Sequence, residues 1–154
     1  MKSISFWIAA IVVIVLDQLS KHYISTTFAP GESRIVIPHV LWLTYVQNHT
    51  GAFGLFGSKT WLLILMALAV LTLFWFSFRD SAARSRTVRI AFGAIVGGAV
   101  GNIVDRLHYG YVVDFFDLRW WPVFNVADSC ITIGVALLVL STFARERRLA
   151  RAEP

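Results

Sequence analysis

Asp17, Asn102, Asp105, Arg106, Asp114, Asn125 and Asp128 are polar interruptions in a chain that is otherwise strongly apolar. Two carboxylates held close share one proton, because like charges at short range resist joint ionisation. The ionised member then acts as a base towards water, while its protonated partner donates to a carbonyl oxygen, which is the logic of aspartic proteolysis. Carboxylates in a membrane also relay protons, so residue types alone leave hydrolysis and transport both open. Serine catalysis fits worse, since no serine sits in a nucleophile-elbow motif. His22, His39, His49 and His108 are scattered without metal-ligand spacing, and the single Cys130 reads as a small packing residue. No CxxC or Cys/His cluster suggests a metal.

Helical spacing groups these side chains. Gly93, Gly97 and Gly101 recur every fourth residue, a pattern that lets helices approach closely, and the stripe continues to Asp105. Gly98, Asn102 and Arg106 form the stripe beside it. Asn125, Asp128 and Thr132 share one face at i, i+3 and i+7. Asp128 could serve chemistry or cap a helix, with Asn125 also available as a cap. Asp17 and Lys21 lie four apart and can pair across one turn, a structural role. Asp114 reads as a partly desolvated loop carboxylate among Val and Phe neighbours, and Asp117 as a surface partner of Arg119.

The elements that must position these groups are membrane spans. Hydrophobic residues make up 57% of the 154 and charged ones 15%, where soluble domains run at about 45–50% and about 25%. The apolar residues cluster into stretches near the roughly 20 that a spanning helix needs. The expected fold is an all-α membrane protein, a four-helix transmembrane bundle with a small extracytoplasmic β-sheet and loop region. Its helices fall at about 4–24, 60–78, 90–107 and 124–143, in one integral domain over 1–154. The first stretch resembles a leader but lacks a clear cleavage site, so it reads as a retained helix. Residues 34–37 and 40–46 are rich in β-branched and aromatic types and predict the sheet. An interfacial segment is expected near Phe53–Phe56. Tyr109, Tyr111, Trp120 and Trp121 suit the headgroup zone.

Charge sets the orientation. Arg79, Arg84, Arg86 and Arg89 mark one loop, and Arg145, Arg147, Arg148 and Arg151 mark the tail. Positive segments stay cytoplasmic, which places both termini inside and the polar cluster at the outer face. The net charge of +5 lies in these segments, with no aromatic-interleaved patch, so nucleic acid is not an expected partner.

At this point the motifs match a family. Asp17-Gln18-Leu19-Ser20-Lys21, Gly101-Asn102-Ile103-Val104-Asp105-Arg106, Val112-Val113-Asp114-Phe115 and Phe124-Asn125-Val126-Ala127-Asp128-Ser129 occur in the order and topology of the bacterial lipoprotein signal peptidases (signal peptidase II). The chain resembles that family over nearly its whole length. The resemblance implies an intramembrane aspartic endopeptidase of the bacterial cytoplasmic membrane. Such an enzyme removes signal peptides from prolipoproteins, cutting before a diacylglyceryl-modified cysteine. It implies Asp114 and Asp128 as the catalytic pair, with no metal or organic cofactor expected. Asn48, Asn102, Arg106 and Asn125 would support the pair or bind substrate, with Asp17, Lys21 and Asp105 structural. Prolipoproteins and membrane lipid are the expected partners of a monomer. The family's Asn-x-Gly-Ala-Ala-Phe departs here to Asn48-His49-Thr50-Gly51-Ala52-Phe53, with the Asn-to-Phe spacing kept. A small proton-coupled transporter is the alternative, using Asp17, Asp105 and Asp128. A non-catalytic assembly protein binding through the glycine stripe is a further rival.

Overall fold

The structure, a computed structural model, describes residues 4–50 and 59–150, with the backbone alone for 80–84 and 145–150. Four helices are long and apolar enough to cross a membrane: α1 (Ile4–Thr27), α2 (Thr60–Arg84), α3 (Arg86–Tyr109) and α4 (Val126–Ala150). A three-stranded antiparallel sheet of β1 (Ser33–Ile37), β2 (Leu41–Asn48) and β3 (Val112–Asp117) stands between them at one end, in that order. The interfacial segment expected near Phe53–Phe56 lies outside the described residues.

The helices run further than hydropathy alone suggests. Arginine is a good helix former, so polar turns extend the apolar spans. The connection expected over 79–89 is helical apart from Ser85, whose hydroxyl accepts the Val88 N–H at 3.4 Å and caps α3. At the other end of α3, Gly110 adopts φ 79° and its N–H returns to the Arg106 carbonyl. That left-handed residue favours glycine and turns the chain directly into β3.

Glycines set the packing of α3. A Cβ on Gly97 would lie 2.6 Å from the Ala10 carbonyl oxygen, and one on Gly93 or Gly101 would collide with Phe6 or Asp17 of α1. Gly98 meets the Ala127 carbonyl of α4 in the same way, at 2.6 Å. Helix α3 is thus the axial element, wedged between α1 and α4. Helix α2 lies against α3 and leaves Trp61, Leu65, Leu73 and Phe76 exposed, as a lipid-facing surface requires.

The sheet has an apolar core of its own. Tyr45, Val113 and Phe115 pack on Ile24 and Phe28 at the end of α1. The residues around Asp114, expected as loop, form β3 because they pair antiparallel with β2, in a register that shifts between Leu43 and Val46. Asp117 is likewise buried rather than a surface partner. It accepts the Thr44 hydroxyl at 2.7 Å and the Arg119 N–H at 2.8 Å, in addition to pairing with the Arg119 guanidinium.

Candidate active site

The sheet register places the first carboxylate. Val46 pairs with Asp114 and Asn48 with Val112, so Asn48 and Asp114 share one sheet face as diagonal neighbours. The Asn48 Nδ2 donates to Asp114 Oδ2 at 2.8 Å. The Thr50 N–H donates to Asn48 Oδ1 at 3.1 Å, so the Thr50 position supports the asparagine through its backbone.

The second carboxylate comes from the start of α4. Phe116 and Phe124 exchange backbone hydrogen bonds of 2.7 and 3.1 Å, closing the 117–123 loop and delivering Asn125 beside β3. Asn125 Oδ1 accepts the Asp128 N–H at 2.9 Å, and the Asp128 carboxylate accepts the Asn125 N–H at 3.3 Å. This is a capping box, which satisfies two N–H groups that a helix start leaves unpaired. Capping and a place in the site are alternative readings of Asp128 from the sequence. They coincide, because the cap fixes the carboxylate that lines the cavity.

Amides then link the two acids. Asn125 Nδ2 donates to Asp114 Oδ1 at 2.7 Å and to Asn102 Oδ1 at 3.1 Å. Asn102 Nδ2 donates to Asp128 Oδ1 at 2.9 Å. Asp114 is 2% exposed and Asn125 fully buried, while Asp128 is half-buried. Burial pushes the Asp114 carboxyl up to about 7, the Asp128 charge adds to the rise, and the Asn48 and Asn125 amides oppose it.

Below this layer sits an ionic cluster. Lys21 Nζ pairs with Asp17 Oδ2 at 2.7 Å and Asp105 Oδ2 at 3.0 Å, and donates to Asn102 Oδ1 at 2.8 Å. Asp17 Oδ1 accepts the Ala127 N–H at 2.9 Å, and Asp105 Oδ2 the Val113 N–H at 3.1 Å. Gln18 Nε2 reaches Asp105 Oδ1 at 2.9 Å and the Gly101 carbonyl at 3.2 Å. The pairing of Asp17 with Lys21 is as expected, while its reach to β3 and α4 and the part played by Gln18 emerge only from the structure. A glutamine in the apolar run of α1 was the available signal.

A cavity of about 280 Å³ opens on both acids. Arg106 and Asn48 line its polar side, and Val112, Trp121, Val123 and Ile131 its apolar wall. The buried Arg106 Nε has no hydrogen-bond partner among the described residues, and the Arg106 side chain lines the same space. No group of His, Cys, Asp and Glu suited to a metal ion occurs among the described residues. The arrangement thus offers two amide-braced carboxylates, a guanidinium and room for a bound chain. That set suits water activation across a carbonyl.

Known proteins share this architecture. Residues 9–144 match the family model described as signal peptidase (SPase) II. A lipoprotein signal peptidase of Syntrophomonas wolfei is 46% identical over 149 residues, covering 94% of this chain and 99% of that protein. One from Moorella thermoacetica is 44% identical, over 86% of this chain and 89% of the relative. Among solved structures, a bacterial membrane enzyme determined by the in meso method at 2.3 Å resolution superposes with a TM-score of 0.82. It is 33% identical, with 89% of this chain and 86% of that chain covered.

Proposed function

The chain belongs to the signal peptidase II family, and from that premise we propose an aspartic endopeptidase that cuts prolipoproteins before their diacylglyceryl-modified cysteine. The observation that carries this reading is the Asn125 bridge. One residue holds Asp114 through its amide and Asp128 through its backbone, at the mouth of a cavity.

The pair shares one proton at working pH, and this reading places it on Asp114, whose carboxyl burial pushes up to about 7. Asp128 lies in the first turn of α4, where unpaired N–H groups favour negative charge. Asp128 takes a proton from water as the oxygen attacks the scissile carbonyl carbon. Asp114 gives its proton to the carbonyl oxygen. The resulting gem-diol collapses with cleavage of the C–N bond: Asp128 protonates the leaving nitrogen, and one of the two retained hydroxyls returns its proton to Asp114 as its oxygen becomes the carbonyl of the new carboxyl. No covalent intermediate forms. Arg106 and Asn48 meet substrate oxygens, and the cysteine's acyl chains lie along apolar helix surface, entering sideways from the bilayer.

The arginine-rich α2–α3 connection and tail support a multi-pass placement in the bacterial cytoplasmic membrane. Both termini then face inside and the acids the outer face. In this reading the whole chain, 1–154, acts as one unit and as a monomer. The transport alternative gains no support: the relatives named are peptidases, and the polar network gathers at one end of the bundle. To test the reading, Asp114→Asn and Asp128→Asn are made separately and assayed on a diacylglyceryl-cysteine peptide. Loss of cleavage in both folded variants is expected. Wild-type cleavage by either one overturns the assignment.

A further inference from the structure

Lys21 is buried, 3% exposed, and each of its three ammonium protons has a partner. Two of these are carboxylates, Asp17 and Asp105, and would satisfy the charge by themselves. The third partner is a neutral amide oxygen, Asn102 Oδ1. That oxygen also accepts Asn125 Nδ2. A flipped Asn102 amide would set its NH₂ against two donors and its oxygen against the Asp128 carboxylate. The ammonium therefore holds one orientation. In that orientation the network forks: Asn102 Nδ2 goes to Asp128, and Asn125, anchored on the same oxygen, goes to Asp114.

We infer that Lys21 is a positioning residue for both aspartates, acting through the Asn102 carboxamide rather than only tying helices together. The inference rests on the catalytic reading of Asp114 and Asp128. It gives α1, which contributes no group to the cavity lining, control over the geometry of the pair. A carboxamide polarised by an ammonium is a stronger donor to a carboxylate, since linked hydrogen bonds reinforce one another at low dielectric. The charged groups acting on Asp114 are Asp128 from α4, Arg106 from α3 and Lys21 from α1. Lys21 opposes the rise of the Asp114 carboxyl, so its removal lifts that group further.

The test uses the full-length protein in detergent and a diacylglyceryl-cysteine peptide, with kcat and KM measured across pH. Asp17→Asn combined with Lys21→Met keeps the net charge of the cluster, and Lys21→Arg keeps its positive charge. In the double variant kcat falls roughly ten- to hundredfold with KM little changed, the scale for a hydrogen bond to a charged group. Its alkaline limb moves to higher pH, and Lys21→Arg returns the limb towards the wild-type position. If the double variant does not fold, Asp17→Asn/Lys21→Gln/Asp105→Asn replaces it with the same expectation, since it leaves none of the three charges buried. A folded variant with the wild-type limb makes Lys21 a scaffold residue and overturns the inference. Activity retained by Asp114→Asn or Asp128→Asn in the same assay instead overturns the catalytic reading beneath it.

Discussion

Asn125 and Asp128 bond each other twice, side chain to backbone in both directions, at 2.9 and 3.3 Å. The start of α4 and the geometry of one acid are therefore a single construction. Replacing Asn125 by alanine removes the cap, the amide on Asp114 and a partner of Asn102 together. Losing a cap costs about 0.5–2 kcal/mol, so a lower thermal midpoint in detergent is expected. The loss of cleavage should exceed what that midpoint explains, because the folded fraction also has a displaced acid pair. Comparing activity per folded molecule with the melting curve checks both parts.

The Asp114 carboxyl carries its proton up to about 7, against 3.8 for an ordinary aspartate. Activity that needs this proton falls as pH rises through about 7, giving the pH–rate profile its alkaline limb. The effect on stability has the same sign. The folded state binds more protons than the unfolded state between 3.8 and about 7, so this group's contribution is full below 3.8 and lost as pH passes about 7. Asp114→Asn should flatten that part of the stability curve, measured as thermal midpoint against pH.

Asn48 is a brake on the same carboxyl, since its amide opposes the rise. Asn48→Ala should shift the alkaline limb to higher pH while lowering kcat. A limb displaced downwards, or a change confined to KM, would count against the contact with Asp114.

Gly97 supplies a prediction about packing alone. A methyl there would sit 2.6 Å from the Ala10 carbonyl oxygen, a backbone atom that cannot swing aside. Overpacking of this kind costs about 1–3 kcal/mol, so Gly97→Ala should lower the thermal midpoint and leave the pH limbs in place.

Much of this was legible in the sequence. The four spans follow from apolar length, and the every-fourth glycine stripe correctly marks α3 as a close-packing helix. The pairing of Asp17 with Lys21 follows from spacing. The strand at Asp114 does not, because Val112–Asp117 is an apolar run whose pairing depends on β2, more than sixty residues upstream. Hydropathy registers only apolar length and so places the helix ends short, while α2 and α3 continue through arginine-rich turns. The dual role of Asp128 was hidden for a different reason. A cap and an acid in the site look like competing explanations until the helix start is seen to open on the cavity.

The contacts of Lys21 also carry a consequence for biosynthesis. Chains emerge N-terminus first, so α1 must enter the bilayer long before Asp105 and Asn102 exist. Its two ionic groups are one turn apart and already form a neutral pair, at 2.7 Å in the finished protein. When α3 arrives it brings Asp105 and the Asn102 oxygen to an ammonium already in place. The order of synthesis thus matches the order in which the buried charges find their partners.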